Sequence, residues 1–312
     1  MEDKPSIIEE IQKLKREIFN GKARNLSVGE HLSRIGGIGF EIRDVEKWER
    51  GDPFSSIDWN LSLQSYPEIL YKLDRIETKQ VPVAIVADCS PSVLLGFNSE
   101  NDRLRLLIHL ISIFSFTANY FQDPVVMALA GVSDEAFVPL RHGHGHIMTT
   151  IYRLIDLADE FHKAIERGQR PASEGLSLNE AIQLMASRVK RQSTIVIISD
   201  FVDAITGKAP LDMETIEYLS AKSRQNTMAI FLQDDDEFAF DGISGTIKVR
   251  DIETGRLDEV RSVKFKLFLN DFSEQREVLR KKLSDIGVES VILSWHNYFD
   301  KLSDFMMSRR IA

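Results

Sequence analysis

The sequence of 312 residues has a single cysteine, fewer basic than acidic residues and no long uninterrupted apolar run, and each of these features excludes a class of protein. It contains one cysteine, Cys89, which rules out a disulfide within the chain and a zinc site built from several cysteines. Positive charge is in the minority, since 48 acidic residues outnumber 39 basic ones and the formal net charge is -9. Because an acidic protein repels phosphate backbones, we expect no binding to nucleic acid.

The sequence also lacks a long uninterrupted apolar run and a nucleotide-binding motif. The most apolar stretch, residues 104–121, is interrupted by Arg105, His109 and Asn119, which favours a buried helix over a membrane span. The first residues are polar and lead into an amphipathic helical pattern, unlike a signal peptide. No Gly-rich loop followed by Lys-Ser or Lys-Thr is present to bind phosphate. We therefore expect a cytoplasmic protein without a membrane span and without its own nucleotide.

Alternating strands and helices are predicted from residue 81 onward. Residues 81–87 form a continuous apolar run that ends at Asp88, as is typical of a buried parallel strand. Further strands are predicted at 124–131, 194–199, 227–232 and 288–293, and helices at 101–121, 146–167, 178–190, 211–224 and 271–286. This alternation predicts an α/β fold with a doubly wound, mostly parallel sheet. Residues 136–140 are expected as an edge strand and residues 244–266 as an inserted β-hairpin.

The first 80 residues have a different pattern. They are helical up to about residue 35 and then break into short extended pieces with turns at Gly51-Asp52-Pro53 and Ser65-Tyr66-Pro67. We therefore predict an N-terminal lobe, residues 1–80, packed on a main domain, residues 81–312.

Polar oxygens follow two of the predicted core strands. Asp88, Ser90 and Ser92 alternate directly after the first strand, and Asp200 follows the strand at 194–199. Ligands of open α/β sheets bind at the carboxyl ends of strands, and an oxygen-only cluster of low charge suits Mg²⁺, or else Mn²⁺ or Ca²⁺. The alternative is that Asp88 and the serines only cap the turn that follows.

These residues resemble a known family. The segment Asp88-Cys89-Ser90-Pro91-Ser92 resembles the metal-ion-dependent adhesion site (MIDAS) of von Willebrand factor A domains. An ordered set of further positions resembles the signature of domain of unknown function 58, and these positions are Glu41, Asp44, Gly51-Asp52, Ile57-Asp58-Trp59, Gly96 and Asp251 to Gly255. Members of that family are bacterial or archaeal proteins, typically encoded beside MoxR-type AAA+ ATPases.

The resemblance implies both a fold and a function. The fold would be von Willebrand factor A-like, and Asp88, Ser90 and Ser92 would bind the metal with Asp200 joining from the later strand. The protein would be a non-catalytic adaptor for protein–protein interaction, which works with a MoxR-type AAA+ ATPase and a client protein in chaperone-like protein complex maturation.

One position departs from the family pattern. The threonine that usually completes the metal site falls on Leu176, which cannot ligate a metal. Ser177 is adjacent and is either a metal ligand or, within Ser177-Leu178-Asn179-Glu180, the start of a capping box, which we favour. Leu176 also keeps open a metal-free interaction module of the same fold.

An enzyme is the rival interpretation. Phosphatases that use an aspartyl phosphate also place an Asp where Asp88 lies, but they need a second Asp two positions later, where this chain has Ser90. Cys89 would need a neighbouring base to act as a nucleophile, and the sequence places none there, so we expect a small buried side chain.

Two further clusters contain side chains that can bind a metal ion. His142, His144 and His146 alternate and could bind zinc, but a glycine-spaced turn before a helix is favoured. The acidic run at 234–237 could attract a cation, but such runs more often form a solvated loop.

Overall fold

The fold was analysed in a computed structural model of the chain. The structure describes residues 7–19, 36–37, 41–65, 69–76, 80–95, 102–132, 136–167, 175–189, 192–224, 226–234, 245–250 and 257–311. The chain divides into two compact units, one made of Met1–Val28 and Pro82–Ala312 and the other of Gly29–Val81. No helix in the described ranges has the length and apolar character that crossing a membrane requires.

The elements alternate as the sequence pattern predicts. In chain order they are α1 (Ile7–Phe19), β1 (Gly36–Gly37), β2 (Glu41–Lys47), α2 (Trp59–Gln64), β3 (Tyr71–Ile76), β4 (Val83–Asp88), α3 (Pro91–Leu95), α4 (Asp102–Tyr120), β5 (Val125–Ala130), β6 (Phe137–Arg141), α5 (Gly145–Glu166), α6 (Leu178–Arg188), β7 (Thr194–Ser199), α7 (Val202–Ile205), α8 (Met213–Lys222), β8 (Thr227–Gln233), β9 (Thr246–Arg250), β10 (Leu257–Arg261), α9 (Ser262–Asp285), β11 (Glu289–Ser294) and α10 (Tyr298–Ile311).

The smaller unit contains a three-stranded antiparallel sheet in the order β1-β3-β2. A short 3-10 turn, Phe54–Ser56, and helix α2 connect β2 to β3. Asp58 caps α2, because its carboxylate accepts hydrogen bonds from the backbone N–H groups of Asn60 and Leu61. This unit exposes large apolar side chains, among them Phe54 and Leu63.

The larger unit is built around a six-stranded sheet in the order β11-β8-β7-β4-β5-β6. Neighbouring strands are parallel except for β6, which pairs antiparallel with β5 at one edge. Every residue of β4, β5 and β7 is buried, which explains why these segments read as continuous apolar runs. The predicted mostly parallel sheet, with its edge strand, is confirmed.

Helices cover both faces of this sheet, as a doubly wound fold requires. Val83, Ile85 and Ala87 of β4 face one core, which contains the apolar residues of α1, α4 and α5. Ala84 and Val86 alternate to the other face and pack with residues of α6, α8 and α9. The single run of β4 therefore joins two hydrophobic cores.

Helix α1 belongs to the larger unit, although the sequence pattern groups it with the N-terminal lobe. Its Ile11, Leu14 and Ile18 are buried in the core that α4 shares. Spacings of three and four residues place these side chains on one face of the helix. The unit boundary therefore falls after α1, because its apolar stripe is buried by the main core.

The inserted hairpin is shorter than predicted and the helix after it is longer. Strands β9 and β10 pair antiparallel, with Thr246 opposite Arg261, as a separate two-stranded sheet. Helix α9 then begins at Ser262, whereas the pattern predicts a hairpin to residue 266 and a helix from 271. Alternation of Val263 with Lys264 and of Phe265 with Lys266 resembles a strand, but these residues form the first turns of a helix whose Val263 is exposed.

The connectivity creates a crevice at the carboxyl ends of β4 and β7. The next strand in the chain, β5, pairs with one edge of β4, and β7, which comes later in the chain, pairs with the other edge. Loops leaving two adjacent strands in opposite directions open a gap between them, which is where open α/β sheets bind ligands. Asp88 ends β4 and Asp200 directly follows β7, so the fold places both predicted site residues at this gap.

Candidate functional site

Asp88 lies at the bottom of the crevice with both carboxylate oxygens in hydrogen bonds. The backbone N–H of Ser90 donates to Oδ1 at 2.9 Å, and the hydroxyl of Ser199 donates to Oδ2 at 2.6 Å. The residue is 8% exposed. These bonds fix the carboxylate between the ends of β4 and β7.

Ser90 and Ser92 present two hydroxyl groups beside Asp88. Their Oγ atoms lie 3.0 Å apart at the start of α3, where the two hydroxyls form a hydrogen bond with each other, and both side chains are partly exposed. Two adjacent oxygen ligands of an octahedral Mg²⁺, each at about 2.0–2.1 Å, lie about 2.9 Å apart. The spacing of the two hydroxyls therefore suits a shared cation, and the residue types are oxygen donors of the kind that Mg²⁺ accepts.

The electrostatics of the crevice favour a positive charge. Burial raises the pKa of the Asp88 carboxyl to about 6, and the negative charge of Asp200 acts in the same direction. Hydrogen bonds from Ser199 and Ser90 oppose this rise. The raised pKa means that the ionised carboxylate is short of compensating positive charge.

Asp200 reaches the same crevice but is held by other groups. Its Oδ1 accepts a hydrogen bond from the backbone N–H of Val202 at 3.1 Å, and its Oδ2 accepts one from Nη1 of Arg103 at 3.0 Å. Arg103 in turn places its Nε 2.8 Å from Oδ2 of Asp234. Asp200 is therefore near the predicted site, but its two oxygens are engaged by this chain.

The backbone after β7 is bent to make these contacts. Phe201 has a left-handed conformation with φ of 53°, which is uncommon for a residue other than glycine. The bend directs the N–H of Phe201 to the hydroxyl of Ser199 at 2.8 Å. The ring of Phe201 is buried against Phe231, with centroids 4.3 Å apart, and this packing stabilises the bend.

Gly131 brings a third segment to the crevice. It follows β5, has φ of +83°, and lies so close to the loop after β4 that a Cβ atom would be 2.9 Å from the carbonyl carbon of Cys89. Its N–H donates to the carbonyl oxygen of Leu176 at 2.7 Å, which ties the segment before α6 to the site. Only glycine fits here, because both the dihedral angle and the close approach exclude a side chain.

Ser177 and Leu176 lie on this third segment. The Ser177 hydroxyl accepts from the Glu180 N–H at 3.3 Å, and the Ser177 N–H donates to Oε2 of Glu180 at 2.8 Å, so the predicted capping box is confirmed. The Ser177 hydroxyl also donates to Oε2 of Glu180 at 2.8 Å. Leu176, at the position where the resemblance to the family leads us to expect a threonine, lines the crevice. Ser177 also lines the crevice, and its role as a metal ligand stays a prediction.

The crevice has a volume of about 540 Å³. Polar groups line it, including the predicted site residues and Asp203. Apolar side chains line it as well, among them Pro91, Leu178 and Leu211. A partner that enters would therefore meet both oxygen donors and apolar side chains.

The alternative clusters have other roles. Across the described ranges, no group of three or more His, Cys, Asp or Glu side chains is arranged to hold a metal ion. The segment with His142, His144 and His146 forms the predicted turn into α5, with Gly143 at φ of +97°. Nε2 of His144 lies 3.3 Å from the amide nitrogen of Asn119, so that turn is anchored to α4.

The prediction of a solvated loop at 234–237 is wrong for Asp234, which is fully buried beside Arg103, while residues 235–237 lie outside the described residues. Cys89 is a buried free thiol, as expected, and burial together with the charge of Asp88 raises its pKa well above the usual value. That thiol is therefore protonated at neutral pH.

The segment that carries the crevice matches a family model described as protein of unknown function DUF58, over residues 44–281. The chain belongs to this family. The matched region contains Arg103, Asp234 and all the predicted site residues, which are Asp88, Ser90, Ser92, Ser177 and Asp200. It excludes α1, β11 and α10, so the crevice lies within the part that the family shares.

Two curated relatives of this DUF58 chain are uncharacterized protein Rv1480 of Mycobacterium tuberculosis (strain ATCC 25618 / H37Rv) and uncharacterized protein Mb1516 of Mycobacterium bovis (strain ATCC BAA-935 / AF2122/97). Each is 22% identical over 232 residues, a match that covers 74% of this chain and 66% of the relative. The match thus spans just under two thirds of the length of these relatives. Their names state no activity, so the function must be argued from this chain's own residues.

Proposed function

We propose that the crevice holds a divalent cation, Mg²⁺ first, through Asp88, Ser90 and Ser92, and that the cation binds a carboxylate of a partner protein. The observation that carries this proposal is the 3.0 Å spacing of the Ser90 and Ser92 hydroxyls beside Asp88 at the switch point of the sheet. A cation held by one carboxylate and neutral hydroxyls keeps much of its positive charge. It would supply an attraction for an anionic group.

The proposed role is adhesion without catalysis. Both oxygens of Asp88 accept hydrogen bonds, which makes this carboxylate a poor nucleophile, and Ser90 lies where a phosphatase would need an acid. The buried Cys89 is equally unsuited to nucleophilic attack, because its raised pKa keeps the thiol protonated. Binding of a partner is the function that these side chains support best.

The proposed partner is an AAA+ ATPase of the MoxR type, with a client protein whose complex maturation it assists. Membership in the DUF58 family supports this partnership, together with the resemblance of the Asp88 segment to an adhesion site. The doubly wound sheet with its ligand crevice supports a von Willebrand factor A-like fold. Since the sequence has no phosphate-binding loop, the ATPase would supply the energy.

A metal-free interaction module of the same fold is the second candidate. Leu176 favours it, because an apolar side chain lines the crevice where the family pattern has a threonine hydroxyl. The hydroxyl of Ser177 is engaged by Glu180 and does not replace that threonine. In this version the apolar side chains that line the crevice would make the main contact with the partner protein.

Calorimetric titration with Mg²⁺ and Mn²⁺ separates the two candidates. The wild type should bind saturably, Asp88→Ala should not bind, and Asp203→Ala should bind like the wild type. Asp203 is the matched control because its carboxylate lines the same crevice but pairs with Lys208 at its rim. Capture of a purified MoxR-type ATPase should then require the cation and be lost with a chelator. Equal capture by Asp88→Ala, with or without chelator, would contradict the metal-dependent function and support the metal-free one.

A further inference from the structure

Arg103 is a buried cation close to the candidate site. It lies in the first turn of α4, and its guanidinium bridges the carboxylates of Asp200 and Asp234 at 3.0 and 2.8 Å. The side chains of the three residues are 6%, 4% and 0% exposed. The bridge therefore joins the ends of β7 and β8 to the start of α4, out of contact with water.

This placement is costly unless the carboxylates compensate it. A positive charge in the first turn of a helix opposes the helix dipole. Removing an arginine from water also costs several kcal/mol, which must be offset by well-placed partners. Nη1 of Arg103 additionally lies 3.5 Å from the carbonyl oxygen of Ser92, so the charge sits directly behind the hydroxyl pair.

The bridge decides what Asp200 can do. Its Oδ2 is paired with the charged Arg103 and its Oδ1 accepts from the Val202 N–H, so a buried cation already compensates its negative charge. The hydrogen bonds to Asp88 come instead from the uncharged Ser90 N–H and Ser199 hydroxyl. Breaking a buried charge pair by removing one partner is strongly unfavourable. Asp200 therefore stays with Arg103.

We infer that Arg103 is an internal counter-ion that prevents Asp200 from ligating the cation directly and keeps the cation affinity of the crevice low. This inference rests on the proposed function. The cation then has Asp88 as its one ionised ligand from this chain, and its remaining charge is met by the carboxylate of the partner. Arg103 is thus a positioning residue that makes cation binding and partner binding depend on each other.

The test is Mn²⁺ affinity, measured by titration, in the double variant Arg103→Met/Asp234→Asn. This variant removes one positive and one negative charge, so the net charge of the cluster is unchanged while Oδ2 of Asp200 is released. Replacing a buried ion pair by neutral side chains of similar volume is often tolerated. We expect Mn²⁺ to bind on the order of 10- to 100-fold more tightly, because a second carboxylate can then ligate the cation and affinity rises with the charge of the ligands.

Two single variants are the matched controls. Asp234→Asn leaves Arg103 paired with Asp200, and Arg103→Lys keeps a positive charge beside Asp200, so both should bind Mn²⁺ within about threefold of the wild type, well below the 10-fold effect of an altered outer partner. A gain in Arg103→Lys equal to that of the double variant would contradict the inference, because the charge at that position is retained.

A further variant keeps the inference testable if the double variant does not fold. Asp200→Asn retains the side-chain oxygen, and it should lose less than about 10-fold in Mn²⁺ affinity, as for an outer partner, whereas Asp88→Asn should lose binding altogether. Equal losses in the two variants would make Asp200 a direct ligand and overturn the inference. If the wild type binds Mn²⁺ and the folded double variant binds it no more tightly, the inference is overturned and the proposed function is not. No binding by the wild type or any variant would overturn the proposed function as well.

Discussion

The hydroxyl of Ser199 donates a hydrogen bond of 2.6 Å to the carboxylate of Asp88, a residue 111 positions earlier in the chain. The same hydroxyl accepts the N–H of Phe201, so it joins the end of β4 to the bend after β7. Ser199 is fully buried and was not expected to matter from the sequence. The carboxylate at the centre of the crevice is therefore oriented by a neighbouring strand.

Stability should depend on pH through Asp88. Its pKa is about 6 in the fold against 3.8 for the free side chain, so the native state keeps a proton that the unfolded chain releases. Stability conferred by this proton is present below pH 3.8 and is lost as the pH rises to 6. A shift of this size corresponds to roughly 2–3 kcal/mol. Without divalent cations, Asp88→Asn should therefore be more stable than the wild type at pH 7.5, as measured by urea unfolding.

The control for this prediction is Asp203→Asn, which makes the same change of charge at a half-exposed position. Its unfolding free energy, measured at the same pH values, gives the effect of removing a carboxylate that is not buried. If the difference between Asp88→Asn and the wild type did not change between pH 4 and 7, the raised pKa of Asp88 would be contradicted.

Gly131→Ala should disrupt the crevice. Its Cβ would lie 2.9 Å from backbone atoms of Cys89, and the residue would also be strained at φ of +83°. Gly143→Ala has the same kind of strain, at φ of +97°, but its Cβ would meet nothing within 4 Å. We expect a loss of about 1 kcal/mol at Gly143 from strain alone and of about 3 kcal/mol or more at Gly131. Thermal unfolding of both variants measures the difference, and equal losses would contradict the close approach.

Ser177 and Ser92 should respond differently to replacement by alanine. Ser177→Ala removes the cap of α6 and should cost about 1 kcal/mol of unfolding free energy with little effect on Mn²⁺ affinity. Ser92→Ala removes one of the two paired hydroxyls and should weaken Mn²⁺ binding with little effect on stability. Chemical unfolding and Mn²⁺ titration of both variants provide the check. Loss of Mn²⁺ binding in Ser177→Ala would instead make Ser177 a metal ligand.

Helix α1 should be anchored by Glu10. Its carboxylate pairs with Arg105 and lies 3.4 Å from Nε2 of His109 on α4, and all three side chains are mostly buried. Glu10→Gln leaves the Arg105 guanidinium without its counter-charge, and we expect a loss of roughly 2 kcal/mol. Glu9→Gln, on the exposed side of α1, is the control and should cost less than about 0.5 kcal/mol. Similar unfolding midpoints for the two variants would contradict the anchoring role.

Much of the fold could be predicted because its signals are local. The strand at 194–199 is reproduced residue for residue, since a continuous apolar run between polar segments identifies a buried parallel strand. Helix α10 was not predicted, because its apolar residues do not form a single stripe. The start of α9 was placed too late for a related reason, namely that its first turns alternate like a strand and leave Val263 and Leu267 exposed.

Of the residues around the candidate site, the sequence identifies those of the local motif and not those that come together only in the fold. The alternation of Asp88, Ser90 and Ser92 is a pattern within five positions, whereas Arg103 and Asp234 meet only in the folded chain. One signal for Arg103 does exist in the sequence. An arginine in the first turn of a buried helix opposes the helix dipole and therefore requires acidic partners, although the sequence does not identify them.

The pairing of β4 with β7 also fixes when the crevice can form during synthesis. Of the strands in the six-stranded sheet, β4 emerges first and can pair with β5, which in turn pairs with β6. Its Asp88 has no Ser199 until more than a hundred further residues have been translated. Domains form as their strands become available, and a contact between distant residues has to wait for the later one. The crevice is therefore completed only after β7 has left the exit tunnel, so an unfinished chain at the ribosome does not yet present the site.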